Sequence, residues 1–151
     1  MQDAWLKTQP HLAGFLNSKI PTVVALIGES GCGKHKMCDS IATKLSLEIQ
    51  DISDCISEEL IESLYLTPVR KLYLVEVVRV LEKWQNALLK MLEEPPQGST
   101  VVLLVESETQ LIDTLASRCF KLHFWPYSAD QLKEFAKRGD WSYYRFCTTP
   151  G

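Results

Sequence analysis

The sequence predicts a three-layer α/β domain built around a parallel central sheet, and three observations predict it. Residues 22–27 (TVVALI) form a short, β-branched apolar run that stops at Gly28. Largely apolar runs recur at residues 71–78 and 100–105, as suits strands buried on both faces. The segments between them carry apolar residues at helical spacing, and strand–helix alternation of this kind builds a parallel sheet through crossover connections. At 151 residues the chain is long enough to bury the core of one such domain.

The elements follow in order. After the first strand a glycine-rich turn leads into a helix over residues 34–45, where Met37, Ile41 and Leu45 share a face. Residues 47–52 form a weaker second strand. Residues 57–66 read as a helix with Leu60, Ile61 and Leu64 on one side, Ser57 as N-cap, and Glu58 and Glu59 favourable in the first turn. Pro68 breaks that pattern before the strand at 71–78. Leu81, Trp84, Leu88, Met91 and Leu92 describe the stripe of a helix that stops before Pro95-Pro96. The strand at 100–105, a short helix at 111–116 and a last strand at 121–125 complete the alternation. Past Pro126-Tyr127 the character changes: residues 129–137 read as one more helix, capped by Ser128, and 141–151 hold no complete periodic element. The expected division is a phosphate-loop domain over 1–126, then the start of a second unit over 127–151.

Composition narrows the class. Hydrophobic residues make up 46% and charged residues 23% of the chain, with a formal net charge of −3. That balance argues against a nucleic-acid-binding surface spread over the molecule and places any such contact locally or on partners. The five cysteines, Cys32, Cys38, Cys55, Cys119 and Cys147, are odd in number and lack C-x-x-C pairs. No structural zinc or other metal is therefore expected, and reduced thiols of a cytoplasmic protein are the better reading. No charged-then-apolar leader and no membrane-length apolar run is present in the sequence, so no membrane association is expected.

The chemistry is carried by Gly28-Glu29-Ser30-Gly31-Cys32-Gly33-Lys34-His35, a near match to G-x-x-x-x-G-K-S/T. In that motif glycines let backbone N–H groups point at phosphate oxygens, the lysine neutralises phosphate charge, and the final hydroxyl binds magnesium. Gly28, Gly31, Gly33 and Lys34 are the candidate nucleotide contacts. His35 stands at the hydroxyl position, and an imidazole is a poor ligand for Mg²⁺, which favours hard oxygens. Glu76 closes the strand at the place where a nucleotide-hydrolysing protein keeps a magnesium-side acid; it is a tentative catalytic group or else a solvent-facing strand end. Cys32, near a helix N-terminus and Lys34, is expected to have a lowered thiol pKa. His11 and His123 have no carboxylate or cysteine partner at useful spacing, and Trp84 reads as core rather than as a base-stacking platform.

Two longer strings are more specific: residues 86–96 (NALLKMLEEPP) and Ser117-Arg118-Cys119. With Trp5-Leu6 and Lys34-His35-Lys36-Met37, they make residues 5–135 resemble the N-terminal AAA+ module of bacterial clamp-loader subunits, closest to the delta-prime type of DNA polymerase III. The resemblance implies a P-loop NTPase fold whose residues 127–151 begin a helical lid. It implies an interaction motif at Ser117, Arg118 and Cys119, with Arg118 presented to ATP on a neighbouring subunit. It also implies partners: other clamp-loader subunits and, through them, the sliding clamp and primed DNA.

Departures from ATPase-competent relatives concentrate in this chain's own site. His35 replaces the hydroxyl, Val75 is read at the strand's aspartate position, and Glu106 falls where the sensor-1 Asn or Thr aligns. The cysteine module that holds zinc in many relatives is lacking. The resemblance thus implies a subunit that aids clamp loading and hydrolyses little itself, with ATP or ADP bound with weak or no Mg²⁺ dependence. Two alternatives remain open at this point: an active gamma/tau-type ATPase, and a small P-loop kinase, which would leave Ser117-Arg118-Cys119 unexplained.

Overall fold

A computed structural model describes residues 9–29, 31–66 and 69–125. The expected lid over 127–151, its 129–137 helix, Trp5-Leu6, Pro68 and Cys147 lie outside the described residues. Within them the order is α1 (Pro10–Leu16), β1 (Val23–Ile27), α2 (Lys34–Leu45), β2 (Glu48–Asp51), α3 (Glu58–Leu66), β3 (Lys71–Glu76), α4 (Gln85–Glu93), β4 (Thr100–Val105), α5 (Asp113–Ala116) and β5 (Phe120–His123). The strands form one sheet in the order β2-β3-β4-β1-β5, and every pairing is parallel.

Strand alternation divides the core in two. Val24, Leu26, Leu72, Leu74, Val102, Leu104 and Leu122 face α1 and α2, where Leu12, Phe15, Met37 and Ile41 meet them. Val23, Ala25, Ile27, Tyr73, Val75, Val101 and Leu103 face the other way, toward Ile61 of α3, Leu88 and Met91 of α4, and Leu115 of α5. Each fully buried aliphatic side chain contributes about 1.5–3 kcal/mol from removal of its surface from water. Because β1, β3 and β4 are covered on both faces, their sequences show no polar phase. The three-layer expectation holds.

Local differences have identifiable causes. The third strand ends at Glu76, two residues before the expected limit, because Val77–Arg79 turns into a 3₁₀ segment that buries Val77 and leaves Val78 71% exposed. A second 3₁₀ turn at Glu82–Trp84 precedes α4. Leu81 is 59% exposed and so lies off the helical stripe, whereas Trp84 packs against the core. Ser57 caps α3 as expected, its Oγ accepting the Leu60 N–H at 3.1 Å.

The short helix α1 was not expected. It is fastened to the far edge of the sheet: the Gln9 side chain donates to the Trp125 carbonyl at 2.7 Å and accepts the Trp125 N–H at 2.8 Å. His11 stacks on the Trp125 ring with centroids 4.2 Å apart, and Phe15 packs on Phe120.

Candidate functional site

The glycine loop leaves the C-terminal end of β1, a strand flanked by β4 and β5. The Gly28 N–H donates to the Val105 carbonyl at 3.0 Å, which joins the loop to the end of β4. A Cβ on Gly28 would lie 2.7 Å from Cys32 Sγ and 2.9 Å from Phe124 Cβ, so close approach, rather than conformation, requires glycine there. Gly33 is the N-cap of α2 with φ of 109° and Gly31 has φ of 80°, a region that side-chain-bearing residues avoid. The loop thus places the first turn of α2 and its N–H groups at the strand end. Lys34 is 8% exposed; its Nζ donates to the Gly28 carbonyl and, at 3.2 Å, to that of Glu29.

Cys32 does not behave as the sequence suggested. Burial pushes its thiol up to about 11, outweighing the lowering by Lys34 and by backbone hydrogen bonds. Cys38 is likewise raised to about 12, chiefly by burial. Both act as apolar core atoms.

His35 projects from the start of α2, and its Nε2 lies 3.0 Å from Glu76 Oε1. The other carboxylate oxygen, Oε2, accepts from Arg79 at 3.2 Å. Arg79 also bonds Asp51 Oδ2 at 3.2 Å and holds Asp54 through Nε at 3.0 Å and through NH2. Burial alone would raise the Asp51 carboxyl, but the Ser53 hydroxyl and N–H and the Arg79 guanidinium hold it below the usual range. Hydrogen bonding to Arg79 lowers Asp54, and those carboxylates raise the guanidinium in turn. Among the described residues no group of three His, Cys, Asp or Glu side chains is placed to hold a metal ion.

Val75 is fully buried on the opposite face of β3, and the side chain that meets His35 is Glu76, which Arg79 also engages. Glu106 follows β4 directly with an exposed side chain, and its N–H donates to Gln110 Oε1 at 2.8 Å.

Arg118 lies elsewhere. Phe120 pairs with Val24 and His123 with Ile27, so β5 starts at the end of the sheet opposite the glycine loop. From the level of Phe120 to Gly28 the strand rises roughly 13 Å, at about 3.3 Å per residue. Arg118 precedes β5 at this far end, and its NH2 meets Glu93 Oε1, at the C-terminus of α4, at 3.3 Å. The Ser117 hydroxyl donates to the Thr114 carbonyl at 3.0 Å, and the Cys119 thiol to that of Leu115 at 3.0 Å. Those two bonds hold the turn that exposes Arg118 between them. The two specific strings, distant in sequence, meet here through one exposed ion pair.

Residues 29–128 match the family described as DNA polymerase III, delta subunit. This chain belongs to that family. Among curated relatives it is 30% identical over 116 residues to the DNA polymerase III subunit gamma of Buchnera aphidicola subsp. Acyrthosiphon pisum, covering 70% of this chain and 32% of that protein. It is 35% identical over 66 residues to subunit delta' of Bacillus subtilis strain 168, covering 43% and 20%. The chain spans about a third of the length of the first of these relatives. A solved structure of Thermotoga maritima RuvB, a Holliday junction branch migration motor, superposes with a TM-score of 0.71 at 20% identity, covering 88% of this chain and 49% of that one. At that identity the likeness shows the fold alone, the P-loop AAA+ fold. Membership of the delta subunit family agrees with the clamp-loader resemblance and leaves delta-prime and gamma types undivided. Among the described residues no helix is long and apolar enough to cross a membrane.

Proposed function

We propose that this chain serves as a delta-prime-type component of a DNA polymerase III clamp loader, presenting Arg118 to nucleotide bound by a neighbouring subunit. The observation that carries the reading is the position of Arg118: exposed, at the end of the sheet remote from its own glycine loop. A guanidinium there has no γ-phosphate of its own to serve, while its planar fork of donors suits phosphate charge supplied from outside. Ser117 and Cys119 complete the interaction motif by shaping the turn. The partners are other clamp-loader subunits and, through them, the sliding clamp and primed DNA, all in the cytoplasm.

The chain's own loop holds ATP or ADP as a bound ligand and turns it over little. His35 at the hydroxyl position and the double engagement of Glu76 support that reading. The gamma/tau-type ATPase is the second reading, favoured by the intact Gly28, Gly33 and Lys34 and by relatives named gamma and tau.

ATP turnover separates the two, measured for the chain alone and then mixed with an ATPase-competent clamp-loader subunit. The expected result is negligible turnover alone, with Arg118→Ala lowering the DNA-stimulated rate of the mixture by about 10³-fold, the low end for an arginine supplied in trans. Intrinsic Mg²⁺-dependent turnover that vanishes in Lys34→Ala would favour the gamma/tau reading. An unchanged mixed rate in Arg118→Ala would end the trans assignment.

A further inference from the structure

We infer that the phosphate loop of this chain takes a nucleoside di- or triphosphate free of divalent cation, because His35 and Glu76, at the two positions that would hold the metal, engage each other and Arg79 instead. The inference rests on the reading that the loop holds nucleotide, and adds the form in which the nucleotide is held.

A phosphate loop of the ordinary kind offers Mg²⁺ a hydroxyl from the first turn of its helix and a carboxylate from the neighbouring strand. The residues here do not fit that ion. At the hydroxyl position His35 brings a nitrogen donor in place of a hard oxygen. His35 Nε2 lies 3.0 Å from Glu76 Oε1, so the imidazole occupies the side of that carboxylate oxygen that a metal held between the two positions would need. The remaining oxygen, Oε2, is taken by Arg79 at 3.2 Å.

Arg79 is itself anchored by Asp51 and Asp54, so releasing Glu76 to a metal means breaking two contacts that the surroundings support. What the loop retains is metal-independent: the N–H groups of the α2 first turn, the glycine backbone at Gly31 and Gly33, and the Lys34 ammonium. Arg79 faces Asp51, Asp54 and Glu76 together, and three carboxylates this near the loop weaken anion binding and make the site a modest one.

The test is calorimetric titration of the full chain with ADP and with ATP, each in excess EDTA and in excess Mg²⁺. The expected result is a Kd unchanged within about threefold between the two conditions, with binding lost in Lys34→Ala. His35→Ser should restore an oxygen ligand, free Glu76 Oε1 and introduce at least about a tenfold tightening by Mg²⁺. Tenfold or greater tightening of the unsubstituted chain by Mg²⁺ would overturn the inference. So would undetectable binding of either nucleotide in both conditions, or binding that survives Lys34→Ala. Should His35→Ser not fold, the comparison on the unsubstituted chain still decides. These readouts come from the isolated chain, whereas the Arg118 role is read from a neighbour's turnover, so the two fail separately.

Discussion

Replacing Gly28 by alanine is the most direct mechanical test of the loop. The added Cβ would sit 2.7 Å from Cys32 Sγ and 2.9 Å from Phe124 Cβ, both well inside ordinary contact. Cys32 Sγ can swing about its own χ1, but Phe124 Cβ is fixed to a backbone whose N–H donates to the Ile27 carbonyl at 2.8 Å. Relief must therefore come from moving the loop or the end of β5, an overpacking cost of about 1–3 kcal/mol. With a urea slope of about 1.5 kcal/mol/M for a small domain, a loss of about 2 kcal/mol lowers the unfolding midpoint by about 1.3 M at unchanged slope. Tryptophan fluorescence during urea titration reads it directly. A double substitution, G28A with C32G, should recover only part of the loss, because the Phe124 contact stays. A Gly28→Ala midpoint within about 0.3 M of the unsubstituted chain, or full recovery in the double variant, would refute the steric argument.

Three other outcomes are expected. Leu88→Ala empties a fully buried site between α4 and the sheet and should cost about 2–5 kcal/mol in urea unfolding, an order more than a change at exposed Leu81. At pH 8 the exposed Cys55 should react with a thiol reagent while Cys32, raised to about 11, and Cys38, raised to about 12, stay unmodified until the protein unfolds, since the thiolate is the reactive form. The lowered Asp51 and Asp54 carboxyls add stability that is present above the unfolded carboxylate range and lost as pH falls through their folded values. The difference in urea midpoint between the unsubstituted chain and Arg79→Ala should therefore shrink from pH 7 towards pH 3, and a difference that grows under acid would contradict the assignment.

The strands β1, β3 and β4 and the helix α2 were legible because burial on both faces leaves these strands a largely apolar signature, and because the glycine loop marks where β1 must end. The helix α1 was not: seven residues with Leu12 and Phe15 alone buried give too short a stripe to register. Val75 and Glu76 are neighbours in a run read as one strand, and the pairing register, which local sequence does not show, decides which of them meets residue 35. The motif strings announced Arg118 and the loop, but neither its ion pair with Glu93 nor the Glu76–Arg79 contact leaves a mark in local sequence. Arg79 itself was missed; the available signal was a lone cation just past a strand that ends on an acid. The Cys32 error has a plain cause, since proximity to Lys34 can be read from sequence whereas desolvation cannot.

The position of β1 bears on how this chain acquires its structure. It is the first of the described strands to be made, yet its neighbours are β4 and β5, whose partners to Val23 and Val24 are Val101 and Phe120. During synthesis both of its edges stay unpaired until the last described strands have emerged, and the Gln9 clasp on Trp125 closes later still. Long-range parallel pairing of this kind folds slowly and exposes aggregation-prone edges meanwhile. The strand that carries the glycine loop is thus the one most in need of protection on the ribosome, and the loop reaches its final setting only after β4 and β5 are in place.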